Sequence, residues 1–374
     1  MSDGALGTAS ATARVRACLE RIDPQLGAFI TVDADRALAR AETEPSGSLR
    51  GVVLAVKDLI DTRGLRTTYG SAVHAEHVPD TGAACVETLQ ARGAIVVGKA
   101  NLNEYAYGVS GYNPHYGQMR VPGDRSRSAG GSSGGSAVAV AQGACDVALG
   151  TDTSGSVRIP AACCGVLGFK QAHDPVAMRG VRPLAPSFDS LGYLARDVEE
   201  LRRVLKLPAG DGGPAPRVAD AAELSLPPFP FEHHWTLFRV EAYRQHRAAV
   251  LAAPERHGDD LRVKLSQPLG DPTAAAGAMA AWRRDFVAAL GDVELLVGPV
   301  FDGGTPTVEE VMRDYRDGTL TTSERLMTHT PLANALGWPA LAVPTSGGPR
   351  HVLGRPGSEA AMLTLADDLM EDLR

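Results

Sequence analysis

"GGSSGGSAVAVAQGACDVALGTDTSGSVRIP", Gly130 to Pro160, begins with the composition of a flexible linker and ends in a patch of hydroxyls and glycines. A linker would keep its Gly/Ser composition. Here "GGSSGG" runs at once into an alanine-rich helical stretch, then an apolar strand, then a second loop, "TDTSGS". Both loops are anchored by ordered elements, so they can bring serine hydroxyls and bare backbone N–H groups together. Nucleophilic acyl transfer needs that pair of features, a hydroxyl to attack and preorganised donors for the oxyanion.

A serine nucleophile also needs a base, and neither loop contains a histidine, although a distant one can fold back. The alternative is a lysine held largely neutral. Lys57 closes the apolar strand "GVVLAV", Gly51 to Val56. Buried there among hydroxyls, its pKa would fall from about 10.4 toward about 7 to 8, the range useful for proton transfer. Strand-end lysines are commonly solvated, so position alone makes Lys57 a candidate and no more.

The surrounding pattern is α/β. Residues 11–22 and 33–43 read as helices, "GAACVETLQARG" (82–93) as helix followed by the strand "AIVVG" (94–98), and "SAVAVAQGA" (136–144) as helix followed by "DVALG" (146–150). Strands apolar throughout imply a central sheet with both faces covered. Pro and Gly accumulate over residues 206–231, which predicts a surface excursion or linker. Helical stretches at 241–254 and 273–290 follow, then the short apolar strands "VELLVGP" (293–299) and "PALAVP" (339–344). These suffice to complete the same sheet, so residues 1–374 read as one domain, with no internal repeat.

With 374 residues, 44% of them hydrophobic, the chain can bury a substantial core. Its formal net charge of -7 and lack of a Lys/Arg block give no electrostatic footprint for nucleic acid. The N-terminus lacks a signal-like apolar core, and no segment approaches the ~18 apolar residues of a membrane span. Five cysteines without C-x-x-C spacing argue for reduced thiols in a cytoplasm and against a disulfide framework or zinc site. "GAIVVGKA" (93–100) nearly matches a phosphate-binding loop, but Ala100 replaces the metal-binding hydroxyl and the middle is a strand. His74 with His77, and His233 with His234, lack an acidic ligand at metal spacing and read as core or surface histidines. Cys163-Cys164, in an apolar run, reads as packing.

Lys57 and the two serine loops, in this order and spacing, resemble the amidase signature family of Ser-cisSer-Lys hydrolases. The long motif "GGSSGGSAVAVAQG...VALGTDTSGSVRIPAACCGVLGFK" follows that family almost throughout. "AVKDLIDTRGLRTTYGS" (55–71) is similar to its catalytic-lysine segment, and "ARGAIVVGKANLNEYAYGVSGYNPHYG" (91–117) to its next helix, strand and pocket wall. "PLAPSFDSLGYLARDVEEL" (183–201) and "NALGWPALAVP" (334–344) resemble later landmarks. The likeness covers most of residues 25–205 and resumes near 290, leaving 206–290 as a shortened substrate-covering region and 291–374 as a sheet-completing part.

The resemblance implies an amidase-signature fold, a central mixed β-sheet covered by helices on both faces. It implies Ser156 as acyl-accepting nucleophile, Ser132 as the bridging serine on a cis peptide, and Lys57 as terminal base, with Ser133 hydrogen-bonding beside them. The backbone N–H groups of Thr153, Ser154, Gly155 and Ser156 would form the oxyanion hole. Asp152 and Arg158 would bracket the nucleophile loop, and Asp189 would support the loop or the lysine. Ala106 and Tyr107 fall where the family lines its acyl pocket. The expected substrate is a low-molecular-weight amide, such as an arylacetamide or a urea-like compound, hydrolysed without metal or organic cofactor by a cytoplasmic enzyme, a homodimer being open. Acyl transfer to an amine and a glutaminase-type subunit of a larger complex stay open as alternatives. Three departures stand out: Ser154 where many members have glycine, Asp174-Pro175 in an expected turn, and a shortened "GGPRHVLGRPG" (347–357).

Overall fold

A computed structural model describes residues 10–208 and 215–373. Ten strands form one mixed sheet: β1 (Phe29–Val32), β2 (Val53–Lys57), β3 (Ile95–Ala100), β4 (Val147–Asp152), β5 (Leu167–Lys170), β6 (Ser190–Ala195), β7 (Val218–Asp220), β8 (Leu295–Pro299), β9 (Ala340–Val343) and β10 (Arg350–Gly354). Their spatial order is β1-β3-β2-β4-β6-β5-β9-β10-β8-β7. The β2 strand runs parallel to both β3 and β4, and β7 parallel to β8, while the other pairs are antiparallel.

Side chains alternate across each strand, and here both sets are apolar. Leu54, Val56, Val147, Leu149 and Phe169 enter one core, beneath the helices Ala84–Ala91, Val198–Leu205 and Glu359–Leu369. Val53, Ala55, Ile95, Val97 and Ala148 enter the other, beneath Ala11–Glu20, Ala34–Glu42, Gly134–Ala141 and Arg158–Cys164. Each fully buried Val or Leu contributes roughly 1.5 to 3 kcal/mol, so the uninterrupted apolar strands are the main reason the sheet forms. A third cluster seats Met279, Trp282 and Phe286 of the helix Pro272–Leu290 over Leu296, Ala340 and Leu353.

The 206–231 stretch is only partly a linker. Residues 209–214 lie outside the described residues, but Val218–Asp220 pairs with β8 and forms the sheet's edge. Three residues are too few to carry a readable alternation, and the pairing is set by the neighbour. The Asp174-Pro175 departure closes as a turn in which the Val176 N–H donates to Asp174 Oδ1 at 2.9 Å. The 347–357 stretch holds the five-residue β10, paired on both sides.

The near-match at 93–100 is strand β3, with Lys99 wholly buried and donating to Ile60 O and Thr67 Oγ1, both at 2.6 Å, beside Asp58 at 3.3 Å. It offers no open loop to a phosphate. All five cysteines are free thiols, and burial pushes Cys163 up to about 12. Among the described residues no group of three or more His, Cys, Asp or Glu side chains is arranged to hold a metal, and no helix is long and apolar enough to cross a membrane.

Candidate active site

The site lies at the carboxyl ends of two adjacent parallel strands. Lys57 is the last residue of β2 and Asp152 the last of β4, so the turns leaving both strands meet there. The loop 130–133 reaches the same place because the helix Gly134–Ala141 returns the chain to β4. That helix packs tightly: a Cβ on Gly135 would overlap the backbone of Asn101 and Ala28. The peptide bond between Gly131 and Ser132 is cis.

Lys57 is fully buried, and its Nζ donates to Ser132 Oγ at 2.8 Å, Ser133 Oγ at 2.9 Å and Thr151 Oγ1 at 2.8 Å. No carboxylate makes an ion pair with it among the described residues. Burial drives its pKa down to about 7, against the opposing pull of Asp152 and Asp189. A lysine in this state can both accept and return a proton near neutrality. The strand-end position that made Lys57 ambiguous in sequence is resolved by the serine loop that covers it.

Ser133 ties the two loops together. Its N–H donates to Ser156 O at 3.0 Å and its hydroxyl to Thr151 O at 3.1 Å. Ser156 is 4% exposed and lines a cavity, with no partner for its hydroxyl among the described residues. Of the four N–H groups expected to face an oxyanion, that of Gly155 donates to Asp152 Oδ1 at 2.9 Å. Those of Thr153, Ser154 and Ser156 have no partner among the described residues.

Asp152 and Arg158 hold the loop from beneath. Asp152 accepts from the N–H of Gly155 and of Val157 (3.0 Å), and from Arg158 Nε at 3.0 Å and Nη2 at 2.8 Å. Burial opposes its charge most strongly, yet the Arg158 guanidinium, the Lys170 charge and the Val157 N–H together hold the carboxyl well below the usual range. Arg158 also donates to Thr330 O and to Asn334 Oδ1, and meets His351 Nε2. Thr330 Oγ1 in turn donates to Ser154 O at 2.6 Å. Asp189 accepts from Thr153 Oγ1 at 2.7 Å and from the N–H groups of Leu184 and Ala185. So Asp152, Arg158 and Asp189 all hold the loop that carries Ser156, whereas Lys57 bonds only to hydroxyls and a carbonyl.

Sequence reading missed Thr151, Thr330, Asn334 and His351. Thr151 stands inside the quoted loop, and Asn334 opens "NALGWPALAVP", but only the folded sheet shows that β9 and the preceding helix Pro331–Leu336 close over Asp152. His234, expected in the core or at the surface, is buried with its Nε2 3.5 Å from Ser154 Oγ. Its ring packs against Phe188, Phe229 and Trp235, and burial lowers its pKa to about 3. It is therefore a neutral packing group. His74 and His77 pack beside Tyr69, outside the cavity lining.

The cavity has a volume of about 700 Å³. Ser156, Ser154 and Thr153 line it together with both expected pocket residues, Ala106 and Tyr107. The helices Phe231–Ala252 and Asp259–Ser266, within residues 206–290, line it with Trp235, Phe238 and Val263. Tyr107 stacks edge-on against Phe238 at 5.4 Å, and Lys264 Nζ donates to its carbonyl at 2.8 Å.

The family model described as Amidase matches residues 12–216. The glutamyl-tRNA(Gln) amidotransferase A subunit of Anaeromyxobacter dehalogenans is 46% identical over 212 residues, 54% of this chain and 43% of that protein. Its counterpart in Thermus thermophilus is 44% identical over 211 residues, covering 56% and 44%. The matched segment thus spans under half the length of these curated relatives. A crystal structure of an amidase superposes with a TM-score of 0.84 at 30% identity, covering 96% of this chain and 95% of that one. The structure of 6-aminohexanoate cyclic dimer hydrolase complexed with substrate also has a TM-score of 0.84, at 22% identity over 98% and 94%, a likeness of fold.

Proposed function

Because the chain belongs to the amidase family, we propose that it hydrolyses a C–N amide bond through an acyl-enzyme on Ser156, with Ser132 as proton relay and Lys57 as base. One observation carries the reading: a buried lysine, held near neutrality by burial and bonded to Ser132, stands behind a loop whose Ser156 lines a substrate-sized cavity.

In this scheme neutral Lys57 takes the Ser132 proton while Ser132 takes that of Ser156. Ser156 Oγ attacks the amide carbon, and the N–H groups of Thr153, Ser154 and Ser156 receive the oxyanion, each good donor being worth about 3 to 4 kcal/mol of barrier. The proton returns along the same path to the leaving nitrogen, and the C–N bond breaks. Water then repeats the cycle on the ester, releasing the carboxylate and restoring Ser156. Reaction with a fluorophosphonate probe tests this directly. Labelling should fall on Ser156 and vanish in Ser156→Ala, and labelling at another serine would overturn the assignment.

The amidotransferase relatives favour a second reading of the same acyl-enzyme, in which an amine or ammonia acceptor, bound by this chain or by a partner protein, takes the place of water or receives the released nitrogen. Adding hydroxylamine distinguishes the cases: diversion of product to the hydroxamate reports an acyl-enzyme open to amines, and free carboxylate alone reports hydrolysis.

A further inference from the structure

Most of the cavity wall is apolar, with Val109, Trp235, Phe238 and Val263 among its lining residues, and its charged residues are nearly all partnered. Asp259 pairs with Arg262, Asp260 Oδ2 with Lys264 Nζ at 3.1 Å, and Asp314 accepts from Thr319 Oγ1 and the Thr322 N–H, both at 2.7 Å. Glu324 is exposed at the rim. Asp260 Oδ1 has no donor, but the adjacent Lys264 already meets its charge.

Arg239 is different. It lies one turn beyond Trp235 on the cavity-facing side of the helix Phe231–Ala252, within electrostatic reach of the Tyr107 phenol. Its Nε is buried without a hydrogen-bond partner, and its guanidinium has no ion pair among the described residues. A cation placed against an apolar wall is costly unless something answers it. Arginine presents a planar fork suited to a carboxylate. Among the described residues none of the four carboxylates lining the cavity, Asp259, Asp260, Asp314 and Glu324, pairs with Arg239.

We propose that Arg239 binds a carboxylate of the substrate, so that the enzyme selects an amide that also carries a carboxylate. The inference rests on the amidase reading, and it narrows the expectation of a low-molecular-weight amide such as an arylacetamide or a urea-like compound. Arg239 would act as a specificity residue, holding the anion while the amide of the same molecule reaches Ser156.

The test is a matched pair: adipamate, with one carboxylate and one primary amide, and neutral adipamide, titrated calorimetrically into the Ser156→Ala protein. The expected result is that adipamate binds roughly 10- to 100-fold tighter, the range for a charge-assisted pair. Arg239→Met should erase the preference, and Arg239→Lys should keep part of it. Equal affinities in the Ser156→Ala protein, binding of neither compound, or a preference that survives Arg239→Met would overturn the proposal. Ammonia release from both compounds by the unaltered enzyme reads the underlying function separately. Preferential binding without turnover would leave Arg239 in place and count against hydrolysis.

Discussion

Lys57 Nζ and Ser132 Oγ, 75 positions apart in the chain, lie 2.8 Å apart in the buried seam between β2 and the loop that opens the helix Gly134–Ala141. The contact joins a group that can take a proton to a hydroxyl that can pass one. Because Ser133 and Thr151 accept the remaining Lys57 hydrogens, the ammonium or amine is held in one orientation.

Substituting any one of the three groups should stop turnover. Ser156→Ala, Ser132→Ala and Lys57→Met are each expected to lower kcat/KM about 10⁴-fold or more, as for residues acting as a unit. Methionine is chosen at 57 because alanine would leave a void in a fully buried site. Circular dichroism should show the fold unchanged, and a fully active Ser156→Ala protein would refute the mechanism.

The rate should depend on pH through Lys57. Its pKa of about 7 means the amine form grows as pH rises through neutrality, so kcat/KM should climb to a plateau with a midpoint near 7. Lys57→Arg should remain inactive across the whole range, because a guanidinium stays protonated. A flat profile from about pH 5.5 to 9 would remove lysine from the role of base.

The serine loops, the β2–β4 core and the lysine were legible because each rests on local pattern: apolar runs for strands, Gly/Ser loops at their ends, one lysine closing a strand. What stayed hidden depends on distant closure. Thr330, Asn334 and His351 reach Arg158 from over 170 positions away, and nothing local in the stretches around them shows that they close on it. The β7 edge is three residues long and exists through its pairing with β8. Arg239 looks like any helical arginine until the folded cavity shows it without an ion-pair partner among the described residues.

Arg158 is wholly buried and fixes the loop through Asp152, Thr330, Asn334 and His351. Arg158→Met leaves Asp152 charged without its counter-ion, and breaking a buried pair from one side costs about 3 to 5 kcal/mol. Urea unfolding should show that loss. Arg158→Lys should recover only part of it, since one ammonium cannot span four partners.

Gly155 adopts φ +125°, and a Cβ there would collide with the Thr330 hydroxyl that holds Ser154 O. Gly155→Ala must therefore strain the backbone, at about 1 to 3 kcal/mol, or push Thr330 away and loosen the loop 153–156 proposed to receive the oxyanion. Fluorophosphonate labelling of Ser156 should slow more than about tenfold, roughly a 1.4 kcal/mol effect. An unchanged labelling rate would show that the loop tolerates a side chain there.

Stability should also rise with pH just above neutrality. Lys57 and Lys170 are both buried and both held at about 7, against 10.5 in an open chain. Below pH 7 each is protonated in the folded and unfolded states, and the penalty for burying the charge is fully present. Between about 7 and 10.5 the unfolded chain binds protons that the folded chain does not, so the free energy of unfolding increases. Buried thiols act oppositely from about pH 9, because burial raises Cys85 and Cys163 from 9.0 to about 12 and the unfolded chain ionises first. The clean window is therefore about pH 7 to 8.5. There the urea midpoint should rise, and Lys170→Met, which removes one of these lysine titrations, should reduce the slope.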